Sequence, residues 1–432
     1  MGVIMRERVV GLKCLRCGAE YPTSRMFEGC PKCKTDHIVS NLTVNYDYNI
    51  ISNIVSKSLF RNRPRSMGVW RFRELLPIEE EKHMITLEEG NTPLIKAKNL
   101  SKVLGLNNLY LKDESRNPTW SYKDRLCAVA ISKGLEFGAR VATVSTTGNH
   151  GGATAAYAAR ANMDCVIFTL PTVSEIMLAL MAVYGAKVVP VKTSEGRWVL
   201  MKRCVDELGW YPTGTYSQPM PTGNPYGVQG YKTIAYEIIE QLEFEVPDYV
   251  IVPTAYGEGL YGIWAGFNDY YKLGFIDKLP KMIAAETEMG PLANALKKNL
   301  DFVEKVPPKR SIALSIAATI SSYQALKTLR DSGGFAQPVS DEEILEAMYV
   351  LAKQEGIFPE AASAASLAAA KRLVDEGRIE RDAIVVLVIT SSGLKDIRPL
   401  ALRVPPAIEP RWEDFVLLMK EHYNYTLPSL TT

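Results

Sequence analysis

Ser121-Tyr-Lys-Asp-Arg125 follows the turn-forming stretch Asn117-Pro-Thr-Trp120 and opens a run of helical pattern from Leu126 to Leu135. A strand-like run, Asn108–Lys112, comes just before the turn, and Ser121 is placed to cap the helix. The chain has 50 Lys and Arg residues, most of which are expected on the surface. Lys123 differs because a lysine beside a helix N-terminus can form a Schiff base, while the helix dipole there favours an anion such as a phosphate.

Composition places the chain among globular proteins with two or three domains, since it has 432 residues, 47% apolar and 23% charged. The net charge of +2 gives no field that would attract nucleic acid or an anionic membrane. No apolar run reaches the roughly 18 residues of a membrane span. The first residues, Met1 to Gly11, lack the apolar core of a secretory signal. We therefore expect a cytoplasmic protein without nucleic-acid or membrane partners.

Four of the seven cysteines form two CxxC pairs, Cys14-Leu-Arg-Cys17 and Cys30-Pro-Lys-Cys33, with twelve residues between them. Each pair is a tight turn that aims two thiolates at one point, and two such turns supply a tetrahedral four-sulfur site. We interpret the group as a structural zinc site, with iron as the alternative metal and a redox dithiol as the competing reading. Without a secretory signal, disulfides are not expected, so Cys127, Cys165 and Cys204 are interpreted as buried thiols.

The apolar pattern divides the chain into four parts. We predict a zinc ribbon at 1–40, a connector at 41–86 that packs on the body, a catalytic body at 87–400 and a C-terminal tail at 401–432. Within the body, strands alternate with helices of about 10–15 residues, which predicts an α/β fold with two parallel sheets. The smaller α/β subdomain is expected at about 125–235, and the larger one in the remainder.

Three loops at predicted strand ends carry groups that could hold a phosphorylated ring, although each alone is also typical of an ordinary turn. Thr146-Thr-Gly-Asn-His-Gly-Gly152 offers hydroxyls, an amide and bare backbone to a carboxylate and a ring oxygen. Tyr256-Gly-Glu-Gly259 lets backbone N–H groups approach a phosphate, with the Glu258 side chain expected to point away. Thr390 could meet a pyridine nitrogen. Together with Lys123, the loops predict a pyridoxal phosphate site.

Five motifs then occur in a familiar order: Glu89-Gly-Asn-Thr-Pro-Leu94, Asn117-Pro-Thr-Trp-Ser-Tyr-Lys-Asp-Arg125, Thr147-Gly-Asn149, Glu360-Ala-Ala-Ser-Ala-Ala-Ser366 and Thr390-Ser-Ser-Gly-Leu-Lys-Asp396. Over roughly residues 85–400 the chain resembles the fold-type II pyridoxal-phosphate enzymes, the tryptophan synthase β superfamily. Within that superfamily it is most similar to the threonine synthase branch, some members of which also carry an N-terminal zinc ribbon.

The resemblance implies a role for each matching residue. Lys123 would be the Schiff-base lysine and proton shuttle, Asn149 would bond the ring hydroxyl oxygen, and Thr390 would face the ring nitrogen. A neutral hydroxyl there leaves that nitrogen unprotonated, which in this superfamily accompanies elimination and replacement chemistry. The cofactor phosphate would lie in the cradle formed by Ala255, Tyr256, Gly257, Glu258 and Gly259. Substrate contacts are expected from Ser121, Thr146, Thr147, His150, Thr222 and Gln229.

Three departures from the threonine synthase pattern concern the substrate. Gly227 stands where the branch has an arginine that grips the substrate phosphate, and glycine cannot replace a bidentate arginine contact. The sequence Gly-Asn149-His150-Gly151-Gly152 is more like the serine/threonine dehydratases. Gln229-Gly-Tyr231 is similar to diaminopropionate ammonia-lyase, yet Thr147 occupies the position of that enzyme's acidic residue.

These observations predict a homodimeric pyridoxal-phosphate-dependent lyase that acts on a small amino acid by elimination or replacement at its β or γ carbon. Threonine formation from O-phosphohomoserine is the leading reaction. A serine/threonine dehydratase, a diaminopropionate-type ammonia-lyase and a cysteate-synthase-like β-replacement enzyme are the alternatives. From a different class, a non-catalytic binding module on an inactive enzyme scaffold is disfavoured because Lys123 and Asn149 are both present.

Overall fold

The computed structural model describes residues 8–400 and 405–427. The strands are β1 Val9–Cys14, β2 Glu20–Tyr21, β3 Leu42–Tyr46, β4 Leu94–Lys96, β5 Asn108–Asp113, β6 Val141–Ser145, β7 Asp164–Thr169, β8 Lys187–Pro190, β9 Tyr211–Pro212, β10 Tyr249–Pro253, β11 Lys281–Thr287, β12 Phe335–Val339 and β13 Ile384–Ile389. The α-helices are α1 Tyr48–Ser52, α2 Lys57–Asn62, α3 Lys98–Leu104, α4 Lys123–Glu136, α5 Asn149–Arg160, α6 Glu175–Val183, α7 Ser194–Leu208, α8 Lys232–Gln241, α9 Glu258–Lys272, α10 Pro291–Lys297, α11 Tyr323–Asp331, α12 Asp341–Glu355, α13 Ala361–Asp375 and α14 Trp412–Tyr423. Short 3-10 turns lie at Arg65–Leu75, Glu81–His83, Glu114–Arg116, Gly227–Tyr231 and Gly393–Lys395.

A three-stranded antiparallel sheet in the order β2-β1-β3 forms the N-terminal ribbon. Its third strand lies beyond residue 40, where we expected the ribbon to end. The ribbon needs this strand because β2 has only two residues, so most of the backbone of β1 pairs with β3.

The connector after the ribbon is anchored by buried aromatic side chains. Trp70 donates its indole N–H to the carbonyl oxygen of Ile85 at 2.8 Å. The ring of Phe72 packs on that of Tyr236 in α8, with centroids 5.0 Å apart. The Trp70 bond lies within the connector, whereas the packing of Phe72 on Tyr236 holds the connector on the body.

The larger sheet of the body has six strands in the order β12-β11-β10-β13-β5-β4. Neighbouring strands of this sheet are parallel except at one edge, where β4 runs antiparallel to β5. The central strand β13 reads Ile384-Val-Val-Leu-Val-Ile389, and Val385 to Ile389 are all buried. Because successive side chains of a strand point to opposite faces, this run shows a sheet that is covered on both sides.

The smaller sheet is parallel, in the order β8-β7-β6-β9, and its strands fall within the predicted subdomain at 125–235. The fold is therefore the α/β architecture that the sequence predicts, with two sheets whose strands are mostly parallel. No helix in the two described ranges has the length and apolar character needed to span a membrane.

Two element boundaries differ from prediction near the site. Helix α5 begins at Asn149, inside the stretch 146–152 that we predicted as a loop. Two of the glycines that suggested a turn, Gly151 and Gly152, lie inside the helix. Gly151 allows close packing there, since a Cβ on it would come within 2.7 Å of Thr146. Helix α4 begins at Lys123 with Tyr122 as its cap residue, not Ser121.

The C-terminal residues from Arg398 form a separate unit. Its helix α14 carries acidic residues, Glu413 and Asp414, in the first turn and basic residues, Lys420 and His422, in the last, an arrangement that complements the helix dipole. None of its side chains is buried. Residues 401–404 and 428–432, which belong to the predicted tail, lie outside the described ranges.

Candidate active site

A cavity of about 250 Å³ lies where strands of both sheets end. Residues directly after β6, β10 and β13 line it, among them Thr146, Thr254 and Thr390. Lys123 also lines it from the start of α4. The carboxyl ends of parallel strands are where open α/β sheets bind ligands.

Lys123 is positioned by the two residues that precede it. The Tyr122 backbone N–H donates to the Thr390 carbonyl oxygen at 2.9 Å, and the Lys123 N–H donates to the Ser121 hydroxyl at 3.3 Å. The start of α4 is thereby fixed to the end of β13. Ser121 serves this backbone role and does not line the cavity.

The side chain of Lys123 donates from Nζ to Glu258 Oε2 at 2.9 Å. Burial by itself lowers the pKa of this amine, but the attraction of the Glu258 carboxylate outweighs burial and the pKa of Lys123 lies well above its ordinary value. For Glu258 the two effects have the opposite signs: burial raises the pKa of the carboxyl group, but the attraction of Lys123 outweighs burial and the pKa lies below its ordinary value. The pair is therefore ionised in this structure.

The same ion pair shows where the side chain of Glu258 lies. We expected it to point away from a phosphate at the 255–259 loop; it lines the cavity and bonds Lys123, a contact that the sequence did not predict. The physical reason is the buried amine, which needs a counter-charge in a dry environment. The carboxylate also lies over Gly223, where a Cβ would come within 2.8 Å of Glu258 Oε1.

Arg125, at the end of the opening stretch, anchors α4 to two other elements. Its guanidinium is fully buried and forms four bonds of 2.7 to 2.8 Å with Glu114 and Glu237. Glu237 also accepts from Lys112 Nζ at 2.7 Å. Such bidentate pairs are directional, so the network fixes α4 relative to β5 and α8.

Asn149 lies in the first turn of α5 and its amide is oriented from two sides. Its Nδ2 donates to Glu360 Oε2 at 2.6 Å, and its Oδ1 accepts from Lys395 Nζ at 2.8 Å and from the Ser391 hydroxyl at 3.1 Å. Because an amide nitrogen carries two hydrogens, one donor of Asn149 is left for a ligand. Sequence reasoning did not assign Glu360 or Lys395 to this task.

The loop at 255–259 runs into the first turn of the 15-residue helix α9, whose first N–H groups have no partners within the helix. Two hydroxyls fix the loop: Ser321 donates to the Ala255 carbonyl oxygen at 2.7 Å, and Ser322 donates to that of Tyr256 at 2.6 Å. Gly257 has φ +90° and packs against Ala325, where a Cβ would approach to 2.3 Å. A bare backbone at a helix N-terminus suits a phosphate.

Thr390 and the turn at 146–149 complete the lining that the sequence predicts. The Thr390 hydroxyl is 2.9 Å from that of Ser363. Thr146 accepts at its hydroxyl from the N–H groups of Gly148 and Gly151, at 3.0 and 3.3 Å, and so fixes the turn before α5. Thr147 lines the cavity beside it.

His150 is buried in the cavity wall, and its Nε2 has no hydrogen-bond partner among the residues the structure describes. Burial, with the nearby Lys123 charge, lowers its pKa to about 3. The imidazole is therefore neutral at physiological pH, and its Nε2 can serve a ligand as donor or as acceptor, according to the tautomer.

Besides Ser121, two predicted substrate contacts lie away from the cavity lining. Gln229 donates to Thr43 and to the Pro225 carbonyl oxygen, both at 3.3 Å, so its amide faces the N-terminal ribbon and its own turn. Thr222 has φ +81° and gives its carbonyl oxygen to Asn41. Substrate contact by either residue stays a prediction, without a supporting contact in this arrangement.

Gly227 packs against α4, where an added Cβ would approach the Cβ of Ala130 to 2.9 Å. An arginine has no room at this position in the present packing. The packing around Gly227 therefore agrees with the glycine that the sequence has where the threonine synthase branch has an arginine.

Several lining residues were not identified from the sequence. Arg197 and Trp198 come from α7, a helix whose N-cap Thr193 and C-terminal Gly209 are signals that could have located it. The segment from Leu314 to Ala318 also lines the cavity. It carries no helix or strand pattern, so nothing in the sequence pointed to it.

The four cysteines of the ribbon meet as predicted. The Sγ atoms of Cys14, Cys17, Cys30 and Cys33 all lie within 4.8 Å of one another. Two of the separations are 3.5 Å, between Cys14 and Cys33, and 3.7 Å, between Cys17 and Cys30. Tetrahedral ligation with metal–sulfur bonds of about 2.3 Å requires sulfur separations of roughly 3.8 Å, so the group suits a metal ion.

Comparison with known proteins is consistent with this site. A family model described as pyridoxal-phosphate dependent enzyme matches residues 85–391. Threonine synthase from Methanocaldococcus jannaschii is 38% identical over 390 residues, covering 89% of this chain and 92% of the relative. Threonine synthase from Methanosarcina acetivorans is 36% identical over 393 residues, with the same two coverages.

A solved structure of diaminopropionate ammonia lyase from Escherichia coli matches with a TM-score of 0.64 at 18% identity, covering 80% of this chain and 92% of that one. This likeness concerns the fold. From the family match and the two relatives together, the chain belongs to the pyridoxal-phosphate dependent enzymes of fold type II, within the group that includes the threonine synthases.

Proposed function

We propose that this chain is a pyridoxal-phosphate-dependent lyase that eliminates or replaces a group at the β or γ carbon of an amino acid. Formation of threonine from O-phosphohomoserine is the leading reaction, because the relatives that cover most of the chain are named threonine synthase. The observation that carries the proposal is the single cavity that holds Lys123, Asn149, the 255–259 loop and Thr390.

The lining residues fit the cofactor. The backbone of 255–259 would take its phosphate, the free amide donor of Asn149 its ring oxygen, and the Thr390 hydroxyl its ring nitrogen. When bound at Lys123, the cofactor would supply an electron sink that makes the α-proton of an amino acid acidic.

The protein's own groups would hold and move the proton. Lys123 lies where a base for the α-proton is needed, and Glu258, 2.9 Å from its Nζ, is placed to stabilise the ammonium form once the proton is taken. Backbone N–H groups at the start of α5 and the hydroxyls of Thr146 and Thr147 are the groups in reach to orient a substrate carboxylate.

A second candidate is an ammonia-releasing lyase, such as a serine/threonine dehydratase or a diaminopropionate-type enzyme. Two observations favour it: Gly227 is too tightly packed for the arginine that would grip a substrate phosphate, and Glu258 adds a carboxylate to the cavity. A cysteate-synthase-like replacement remains the third possibility from the sequence.

A panel of amino acids added to the cofactor-loaded protein separates these reactions. Threonine and phosphate released from O-phosphohomoserine would support the leading proposal. A keto acid and ammonia released from serine, threonine or diaminopropionate would support the second. If no amino acid in the panel changes the cofactor absorbance or releases a product, the lyase proposal is wrong.

The ribbon, the subunit state and the location complete the proposal. We propose that the four-cysteine group holds one structural zinc ion, supported by its sulfur separations. The predicted cytoplasmic homodimer is also part of the proposal. Metal analysis and light scattering of the purified protein test the zinc and the dimer.

A further inference from the structure

Arg197 carries a buried charge without a direct counter-ion. Its side chain is 5% exposed. The Glu195 carboxylate on the same turn of α7 attracts the guanidinium, but within the described ranges the guanidinium bonds only neutral oxygens. Its Nε also lacks a hydrogen-bond partner there. Because an unpaired buried charge is costly, a protein that keeps one usually has an anion to bind.

The remaining donors of Arg197 fix its position on the cavity wall. One terminal nitrogen donates to the Thr146 carbonyl oxygen at 2.6 Å, and the other to the Ser194 hydroxyl at 3.2 Å. The guanidinium therefore stands behind the turn that precedes α5, in the first turn of α7. Trp198, beside it, approaches Tyr256 of the 255–259 loop, with ring centroids 6.2 Å apart.

The other charges of the cavity are already balanced. Lys123 and Glu258 neutralise each other at 2.9 Å, and His150 is neutral near pH 7. Among the cations that line the cavity in the described ranges, Arg197 is thus the one whose only attracting carboxylate, Glu195, is exposed and makes no direct bond to it.

Two anionic groups expected in the cavity already have places. The start of α5 suits a substrate carboxylate and the start of α9 suits the cofactor phosphate. Arg197 bonds the turn before α5 at the carbonyl oxygen of Thr146, whereas a substrate carboxylate would bind the backbone N–H groups at the start of α5. The anion that pairs with Arg197 is therefore a third one, distinct from the substrate carboxylate and the cofactor phosphate.

We propose that Arg197, with Ser194, forms the subsite for an anionic side-chain group of the substrate, such as a phosphate. This inference deepens the proposed function and rests on it for the nature of the ligand. It assigns to α7 the recognition that the threonine synthase branch performs with an arginine at the position of Gly227. The substrate class is then an amino acid with a second acidic group, which favours the leading reaction over the ammonia-releasing alternative.

Calorimetric titration of inorganic phosphate into the cofactor-loaded protein tests the subsite, since the cofactor then fills its own phosphate cradle. Wild-type protein is expected to bind phosphate, and Arg197→Gln to bind it about tenfold to a hundredfold more weakly, because a charge-assisted contact is lost. Arg203→Gln is the matched control: it lies on the same helix, is exposed and pairs with Glu207. Its phosphate affinity should equal that of the wild type.

Three results would overturn the proposal: no phosphate binding by the wild type, equal binding by Arg197→Gln, or faster loss of cofactor on dialysis of Arg197→Gln. The last would assign the guanidinium to the cofactor's phosphate. If Arg197→Gln does not fold, Arg197→Lys decides, since the proposal requires weaker phosphate binding at an unchanged melting temperature.

The test is separable from the proposed function. Failure of the wild-type protein to take up the cofactor would refute the lyase proposal. Phosphate titration of that cofactor-free protein and its Arg197→Gln variant would still decide whether Arg197 binds an anion.

Discussion

Replacing Glu258 by Gln should make cofactor capture by Lys123 faster at neutral pH. The Glu258 carboxylate raises the pKa of Lys123, and only the neutral amine attacks an aldehyde. Gln has the same shape as Glu, so the packing over Gly223 is retained while the charge is removed.

An opposite charge this close shifts a pKa by about one to three units. The pKa of Lys123 should therefore fall by that amount in Glu258→Gln. At any pH below the pKa of the variant, the fraction of neutral amine and the capture rate should rise about tenfold to a thousandfold.

The assay is the rate at which cofactor-free protein gains visible absorbance after addition of pyridoxal phosphate, measured over a pH series. Glu258→Asp keeps the charge and should resemble the wild type, and Glu195→Gln is the control for a charge at an exposed position on α7. A pH midpoint in Glu258→Gln that equals that of the wild type, or a slower rate at neutral pH, would show that the carboxylate does not set the protonation of Lys123.

Three further predictions follow from particular contacts. Arg125→Leu should lower the free energy of unfolding by about 3–5 kcal/mol in urea denaturation, because buried Glu114 loses its cation and buried Glu237 keeps only Lys112. Exposed Arg203→Leu should cost less than about 1 kcal/mol, and equal losses would contradict the role given to the buried network. The free energy of unfolding of the wild-type protein should decrease as pH falls from 6.5 towards about 3, because His150 binds a proton in the unfolded chain but stays neutral when buried in the folded protein. The free energy of unfolding of His150→Asn should decrease less over this range. Parallel curves for the two proteins would refute the depressed pKa of His150. Changing both Cys14 and Cys17 to Ser should abolish the zinc, about one per chain, found by metal analysis; unchanged metal content would exclude the cysteine site.

The sequence located the centre of the site because ligand-binding loops follow strands in chain order. Lys123, Asn149 and Thr390 could each be placed at the end of a strand, and parallel strands end at one edge of a sheet. The fold class followed from the same alternation of strands and helices. The antiparallel edge strand β4 did not, because its three residues carry no signal of direction.

The partners that orient these residues could not be predicted, since they come from distant parts of the chain. Glu360 and Lys395 hold Asn149 from 211 and 246 residues away. Arg197 looked like one more surface cation because its helix was not recognised. Glu258 was expected to avoid a phosphate, and only the position of the Lys123 amine explains why its side chain turns into the cavity.

The most direct test of the account is the visible absorbance of the purified protein with pyridoxal phosphate, compared with that of Lys123→Ala. The wild type should bind the cofactor covalently and keep the absorbance band on dialysis, and Lys123→Ala should lose it while retaining its fold by circular dichroism. Lys187→Ala, which removes an exposed amine, should behave as the wild type. A wild-type protein that takes up no cofactor, or a Lys123→Ala variant that keeps the band, would contradict the assignment of Lys123 and the site built around it.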